Sequence, residues 1–194
     1  LNPVRPKLGV IIASTREGRA GLPVAEWFLE AARKHGGFEP ETIDLKQQNL
    51  PLLEEPHHPR LARYEQETTK AWSKRVSSMD AFVFVTPEYN FGSPPALVNA
   101  LDHLFVEWHY KAVGFVSYGG VSGGTRSAQM TKQIVTALKM VPLFEAVTIP
   151  FFSKLIDPSS GRFQGGEIQE KAAVVMLDEL MRWTRALEVL RSPR

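Results

Sequence analysis

Apolar positions along this chain alternate between two spacings. Residues 8–13 (LGVIIA) form a short run rich in β-branched side chains, the pattern of a strand buried on both faces of a parallel sheet. From about residue 19 to 35 the period turns helical. Ala20, Val24, Trp27, Phe28 and Ala31 share one stripe, and Gly36-Gly37 supplies the stop. Residues 41–45 predict a weaker strand nearer a sheet edge. Pro51, Pro56 and Pro59 keep residues 49–60 out of regular structure. A helix is expected over about 62–77, and residues 81–86 (AFVFVT) form the clearest central strand. Leu97, Leu101, Leu104 and Phe105 set a helix from about Pro95, and residues 112–117 predict the next strand. Thr131, Ile134, Val135 and Leu138 mark a helix that ends before Pro142. Residues 144–149 make a fifth strand, and 168–190 a long closing helix.

Five strands alternating with five helical segments argue an α/β doubly wound architecture, a parallel sheet with helices on both faces. There is no internal repeat, linker or low-complexity tract, so residues 1–194 read as one domain, as the length also suggests. The 43% hydrophobic content is enough for its core.

Composition narrows the chemistry. The chain has no cysteine, which removes thiol nucleophiles, disulfides and Cys-ligated metals; redox work would need a bound cofactor. Its 23 Lys and Arg against 21 Asp and Glu leave a net charge of +2 without a basic run, so no nucleic-acid partner is expected. No apolar stretch approaches the roughly 20 residues that span a bilayer. The segment Leu1 to Lys7 lacks a signal peptide's apolar core. A cytoplasmic protein with no membrane partner is the expectation. His57 and His58 are adjacent in a Pro-rich loop, a poor geometry for sharing a metal, and no metal site is expected. His103 reads as a helix-surface residue and His109 as a loop residue. Trp108 and Tyr110 read as core or interface aromatics.

Ligands in open α/β sheets bind outside the carboxyl ends of the strands. Three loops there stand out. The turn Ser14-Thr15-Arg16-Glu17-Gly18-Arg19-Ala20-Gly21-Leu22 brings hydroxyls, guanidiniums and a helix N-terminus together, which suits a phosphate monoester. It matches neither GxGxxG nor GxxxxGK[ST]. Thr86 to Pro95 is stiffened by prolines and carries Tyr89 and Phe91, which suits packing against a flat ring. Ser117-Tyr118-Gly119-Gly120-Val121-Ser122-Gly123-Gly124 lets backbone approach a ligand closely. The cation that follows, Arg126, opposes a helix dipole and calls for an acidic partner or a bound anion. Taken singly, each loop also reads as an ordinary turn.

Together they resemble the NADPH-dependent FMN reductase family. The most specific stretch is Pro87-Glu88-Tyr89-Asn90 followed by Ser93-Pro94-Pro95-Ala96-Leu97-Val98-Asn99-Ala100-Leu101-Asp102, and the likeness runs from Leu8 to about Leu187. The resemblance implies a flavodoxin-like fold with strand order 2-1-3-4-5. It implies FMN as cofactor, with the phosphate on Ser14, Thr15, Arg16 and the turn through Arg19, Ala20, Gly21 and Leu22. Pro87, Glu88, Tyr89 and Asn90, with Ser117, Tyr118, Gly119 and Gly120, would flank the flavin ring. It implies hydride transfer from NADPH or NADH to FMN and onward transfer to a flavin, quinone or similar small-molecule acceptor in a ping-pong cycle. It also suggests a homodimer or homotetramer, with residues 49–60 as a wall or lid. No side chain is expected to serve as acid or base. Arg16 or Arg19 is an option for the NADPH 2′-phosphate. Two departures from the family pattern stand out. Ala13 is expected to crowd the phosphate turn slightly, and Gly92 to loosen the second loop. An electron carrier without a nicotinamide site is the alternative; flavodoxins are typically acidic and lack arginines in this turn, unlike this chain. A phosphate-ligand binder without flavin is a third reading.

Overall fold

The computed structural model describes residues 5–191. The first four residues of the segment lacking a signal-peptide core lie outside them. The chain runs β1 (Lys7–Ile12), α1 (Gly21–His35), β2 (Glu39–Asp44), α2 (Leu45–Gln48), α3 (Glu67–Ser77), β3 (Ala81–Pro87), α4 (Pro95–Asp102), β4 (Ala112–Tyr118), α5 (Thr125–Ala137), β5 (Val141–Ile149) and α6 (Glu167–Arg191). All strand pairs are parallel, in the order β2-β1-β3-β4-β5 expected from the resemblance.

Position in the sheet explains each strand's composition. β3 and β4 lie inside and are buried at every residue, so both faces are apolar. β2 and β5 are the edges and alternate irregularly. One face packs on α1 and α6 through residues such as Phe28, Met176 and Leu180. The other packs on α3, α4 and α5 and includes Trp72 and Trp108, which meet edge to face at 6.0 Å. Their indole N–H groups donate to the Ala100 and Leu101 carbonyls, so two large rings are buried without an unpaired donor.

Several boundaries differ from the sequence expectation. α2 is a four-residue turn, N-capped by Asp44, that absorbs Leu45 from the expected second strand. The 49–60 loop ends in a 3₁₀ turn at Pro59–Leu61. α3 starts at Glu67 rather than near residue 62. Ala62 sits at φ 49°, and the Glu55 carboxylate accepts the Glu65 and Gln66 N–H groups, holding that approach extended. α4 stops at Asp102, and Phe105 precedes a separate 3₁₀ turn, Val106–Trp108. His103 is buried rather than surface-exposed, its Nδ1 lying 2.8 Å from the Asn99 carbonyl. β5 begins at Val141 and includes Pro142, which an edge strand tolerates. Its register jumps from Val113↔Pro142 to Phe115↔Ala146, so residues 143–145 form a bulge that keeps Leu143 in the core. Among the described residues no helix is long and apolar enough to cross a membrane.

Parallel pairing carries all five strand ends to one edge of the sheet. Ile12 aligns with Asp44, Pro87 with Tyr118, and Tyr118 with Ile149. The loops singled out in the sequence therefore converge there.

Candidate functional site

The first loop leaves the sheet after Ala13, whose N–H makes a last rung to the Val85 carbonyl. The Ala13 methyl packs into the core on the α3 side, so it does not crowd the turn. Ser14 is buried, with its Oγ 2.6 Å from the Tyr89 hydroxyl. Among the described residues the Thr15, Arg16 and Gly18 amides meet no backbone carbonyl. The first turn of α1 has no side-chain cap and no acidic residue. Its N–H groups and the dipole thus open toward the loop. Gly21 leaves room for the buried Tyr118 side chain, whose hydroxyl oxygen would lie 2.7 Å from a Cβ here and would have to shift.

The second loop is a tight reversal. Tyr89 and Gly92 exchange both backbone hydrogen bonds, 3.0 and 2.9 Å, across Asn90 and Phe91 at φ 50° and 66°. Positive φ at both central residues is the type I′ geometry. The loop is therefore closed rather than loosened, and a Cβ on Gly92 would stand 3.1 Å from Met130 Sδ. In the third loop, the Gly119 N–H donates to the Ile149 carbonyl, and Gly124 caps α5 at φ 83°.

Glu88 joins these two loops. Its Oε1 accepts from Arg126 Nε at 2.6 Å, and its Oε2 accepts the Ser122 hydroxyl and the Arg126 amide. Burial alone would raise this carboxyl's pKa, but the hydrogen bonds from Arg126 and Ser122 hold it below the usual range. Arg126 thus has the acidic partner its position demanded, and its guanidinium also covers the Phe91 ring at 3.9 Å. Tyr118 is buried, which pushes its phenol upward and keeps it protonated.

The loops enclose a cleft of about 250 Å³. Of the expected site residues, Ser14, Arg16, Arg19, Ala20, Pro87, Glu88, Tyr89, Tyr118, Gly119 and Gly120 line it. Thr15 instead lines a neighbouring cleft of about 410 Å³ with Lys46 and Asn99. Ser117 is buried within β4, Gly21 lies against Tyr118, Leu22 is on the exposed side of α1, and Asn90 is at the turn's tip. Gly18 and Phe152 complete the walls. Phe152 follows the last strand, and its N–H bonds the Gly119 carbonyl. The signal in the sequence is its place after the last strand, whose carboxyl end reaches the same edge of the sheet. Among the described residues no group of His, Asp and Glu could hold a metal.

This donor set fits FMN. One end offers hydroxyls, uncommitted amides, a helix N-terminus and Arg16, which has no ion-pair partner among the described residues. The other end is walled by Tyr89, Tyr118 and Phe152 beside the Gly119-Gly120 backbone, and a Cβ built on Gly120 meets nothing within 4 Å, leaving room for a ring.

Comparison with known proteins agrees. The profile of the NADPH-dependent FMN reductase family matches residues 6–154. An NAD(P)H-dependent FMN reductase of Schizosaccharomyces pombe is 39% identical over 163 residues, covering 80% of this chain and 81% of that protein. One from Saccharomyces cerevisiae is 34% identical over 145 residues, covering 69% and 75%. The flavoenzyme NAD(P)H:(acceptor) oxidoreductase FerB from Paracoccus denitrificans shares the fold, with a TM-score of 0.72 at 19% identity over 93% of this chain and 98% of its own. A match of this extent makes the chain a member of the NADPH-dependent FMN reductase family, an enzyme that uses FMN and NAD(P)H for oxidoreduction.

Proposed function

We propose that the 250 Å³ cleft is where this enzyme holds FMN, within a single catalytic unit spanning the chain. Ser14 and Arg16 take the phosphate, Thr15 adding its backbone amide rather than its side chain, with the amides of the turn from Arg19 through Ala20 and Gly21 to Leu22. Pro87, Glu88 and Tyr89 flank the ring on one side, and Tyr118, Gly119 and Gly120 on the other, with Asn90 at the turn's tip and Ser117 within β4 supporting them from behind. The observation that carries this reading is the uncapped, acid-free start of α1 opening beside Arg16 into the same cleft as the two ring-flanking loops.

Bound FMN supplies the hydride acceptance from NAD(P)H and the return of electrons to a small-molecule acceptor. The chain supplies orientation. Glu88 is engaged by Arg126 and Ser122, and Tyr118 keeps its proton, so neither is assigned an acid or base role. Donor and acceptor use the same open face in turn, a ping-pong order, and flat acceptors such as quinones or free flavin suit it.

The same reading includes a homodimer or homotetramer acting in the cytoplasm. The Pro-rich loop supports an interface role. Asn99 pins it to α4 by accepting the Leu53 N–H and donating to the Pro51 carbonyl, while Leu52 stays largely exposed. Light scattering on the purified protein tests this, and a clean monomer rules it out. The flavin assignment is tested anaerobically by adding NADPH or NADH to the FMN-loaded protein and following absorbance near ~450 nm. Bleaching supports it, and failure of the protein to retain FMN overturns it.

A further inference from the structure

Asp44 ends β2, and the sequence gives no reason to connect it with the cofactor. In the structure it is 5% exposed and faces the phosphate turn. Arg19 Nη1 donates to its Oδ1 at 2.8 Å and Nη2 to its Oδ2 at 2.5 Å. Nη1 also donates to the Ser14 carbonyl at 2.6 Å. The guanidinium thus spans the ends of β1 and β2, which parallel pairing places side by side at Ile12 and Asp44. The same carboxylate accepts the Lys46 amide and so caps α2.

We propose that Asp44 is a positioning residue for the FMN phosphate, a step that rests on the flavin assignment above. It draws the Arg19 side chain back against the sheet, fixes the curvature of the turn through the Ser14 carbonyl, and leaves Arg16 as the guanidinium that faces the anion. A planar guanidinium held at both nitrogens by one carboxylate is geometrically defined, so the turn is shaped before the ligand arrives. A buried ion pair is weak evidence for stability in itself, because both charges lose hydration. Its evident effect here is on the shape of the loop. The ring end of the cleft has its own tie, Glu88 to Arg126, and meets the turn through Ser14 Oγ on the Tyr89 hydroxyl. The clamp acts on the Ser14 carbonyl rather than on that hydroxyl, so it should govern recognition of the phosphate far more than recognition of the ring.

Comparing FMN with riboflavin separates the two ends. Asp44→Ser keeps an N-cap for α2 but removes the carboxylate. Because it strands the Arg19 charge, the pair Arg19→Gln/Asp44→Ser, which removes both charges, is measured beside it. Dissociation constants come from quenching of flavin fluorescence by the apoprotein, with melting temperature as the check on folding. Both variants are expected to lose FMN affinity by about tenfold or more while riboflavin affinity changes less than about twofold. An equal loss for both ligands would reduce Asp44 to a structural residue and overturn the proposal. Unchanged or tighter FMN binding would overturn it too, the latter by showing Arg19 freed to bind phosphate. If the wild type itself binds FMN no better than riboflavin, the phosphate assignment to this turn fails, and the proposal falls with it.

Discussion

The Glu88 carboxylate grips Arg126 from two sides. One oxygen accepts the guanidinium Nε at 2.6 Å, and the other accepts the backbone N–H of the same residue at 3.1 Å. A cation in the first turn of a helix normally opposes the dipole; here a buried anion serves the dipole and the cation together. The contact fastens the Tyr89–Gly92 reversal to α5 and so sets the spacing of the two ring-flanking loops.

Replacing Glu88 by Gln is accordingly expected to lower stability by about 1–2 kcal/mol, the range for a charge-assisted hydrogen bond discounted for the half-exposed Arg126. The pH dependence has a definite sign. Because the folded carboxyl titrates below its unfolded value of about 4.3, its stabilisation is present above that pH and is lost as pH falls through the lower folded value. Chemical denaturation of wild type and Glu88→Gln at pH 7 and pH 3.5 should show the difference between them shrinking in acid. A constant difference would mean that the charge is irrelevant.

Lys111 offers a test in alkali. Its ammonium is buried before β4 and donates to the Val76 carbonyl at 2.8 Å. Burial, with Arg191 nearby, lowers its pKa from 10.5 to about 8. Between those values the unfolded chain holds a proton that the folded chain has released, so this group adds stability as pH rises. Across the whole window the gain is about 3 kcal/mol at most. Lys111→Met should flatten the rise in melting temperature between pH 7 and pH 10. Parallel curves for the two proteins would count against a shifted lysine.

Arg16 is expected to act through charge alone. Its guanidinium has no ion-pair partner among the described residues and lies 6.0 Å from the Tyr89 ring. Arg16→Ala should leave the melting temperature of the apoprotein within about 2 °C, as exposed substitutions do. It should weaken FMN about tenfold and riboflavin little. Titrations at low and high salt check this, since the wild-type advantage should shrink as screening increases.

The fold was legible where burial on both faces forces a continuous apolar run. Val83 and Phe84 point to opposite faces and both are core, so β3 could be read directly. Arg126 was legible as a residue lacking a partner, although only the structure names Glu88. Four residues of α2 are too few to establish a helical period. Pro142 reads as a terminator unless β5 is known to be an edge. His103 reads as a surface residue because nothing in the sequence shows the Asn99 carbonyl one turn earlier satisfying it. Asp44 and Arg19 lie 25 residues apart, and only the register of β1 on β2 joins them. Local pattern thus gives the strands and the ligand edge, while long-range pairing decides which charges at that edge are free.

Two glycines of the third loop separate folding from binding. A Cβ on Gly124 would lie 2.7 Å from the Tyr118 nitrogen and 2.8 Å from its oxygen, at a φ of 83° that L side chains avoid. Backbone on both sides cannot give way, so Gly124→Ala should cost about 2–3 kcal/mol and lower the melting temperature whether or not flavin is present. A Cβ on Gly120 meets nothing within 4 Å, and the residue is exposed. Gly120→Ala should therefore leave apoprotein stability within about 0.5 kcal/mol of wild type. The space it fills is the space assigned to the flat ring, so FMN and riboflavin should both weaken, by about tenfold. Melting curves of the apoproteins and the two dissociation constants decide the matter. Undiminished affinity in Gly120→Ala would put the ring elsewhere in the cleft.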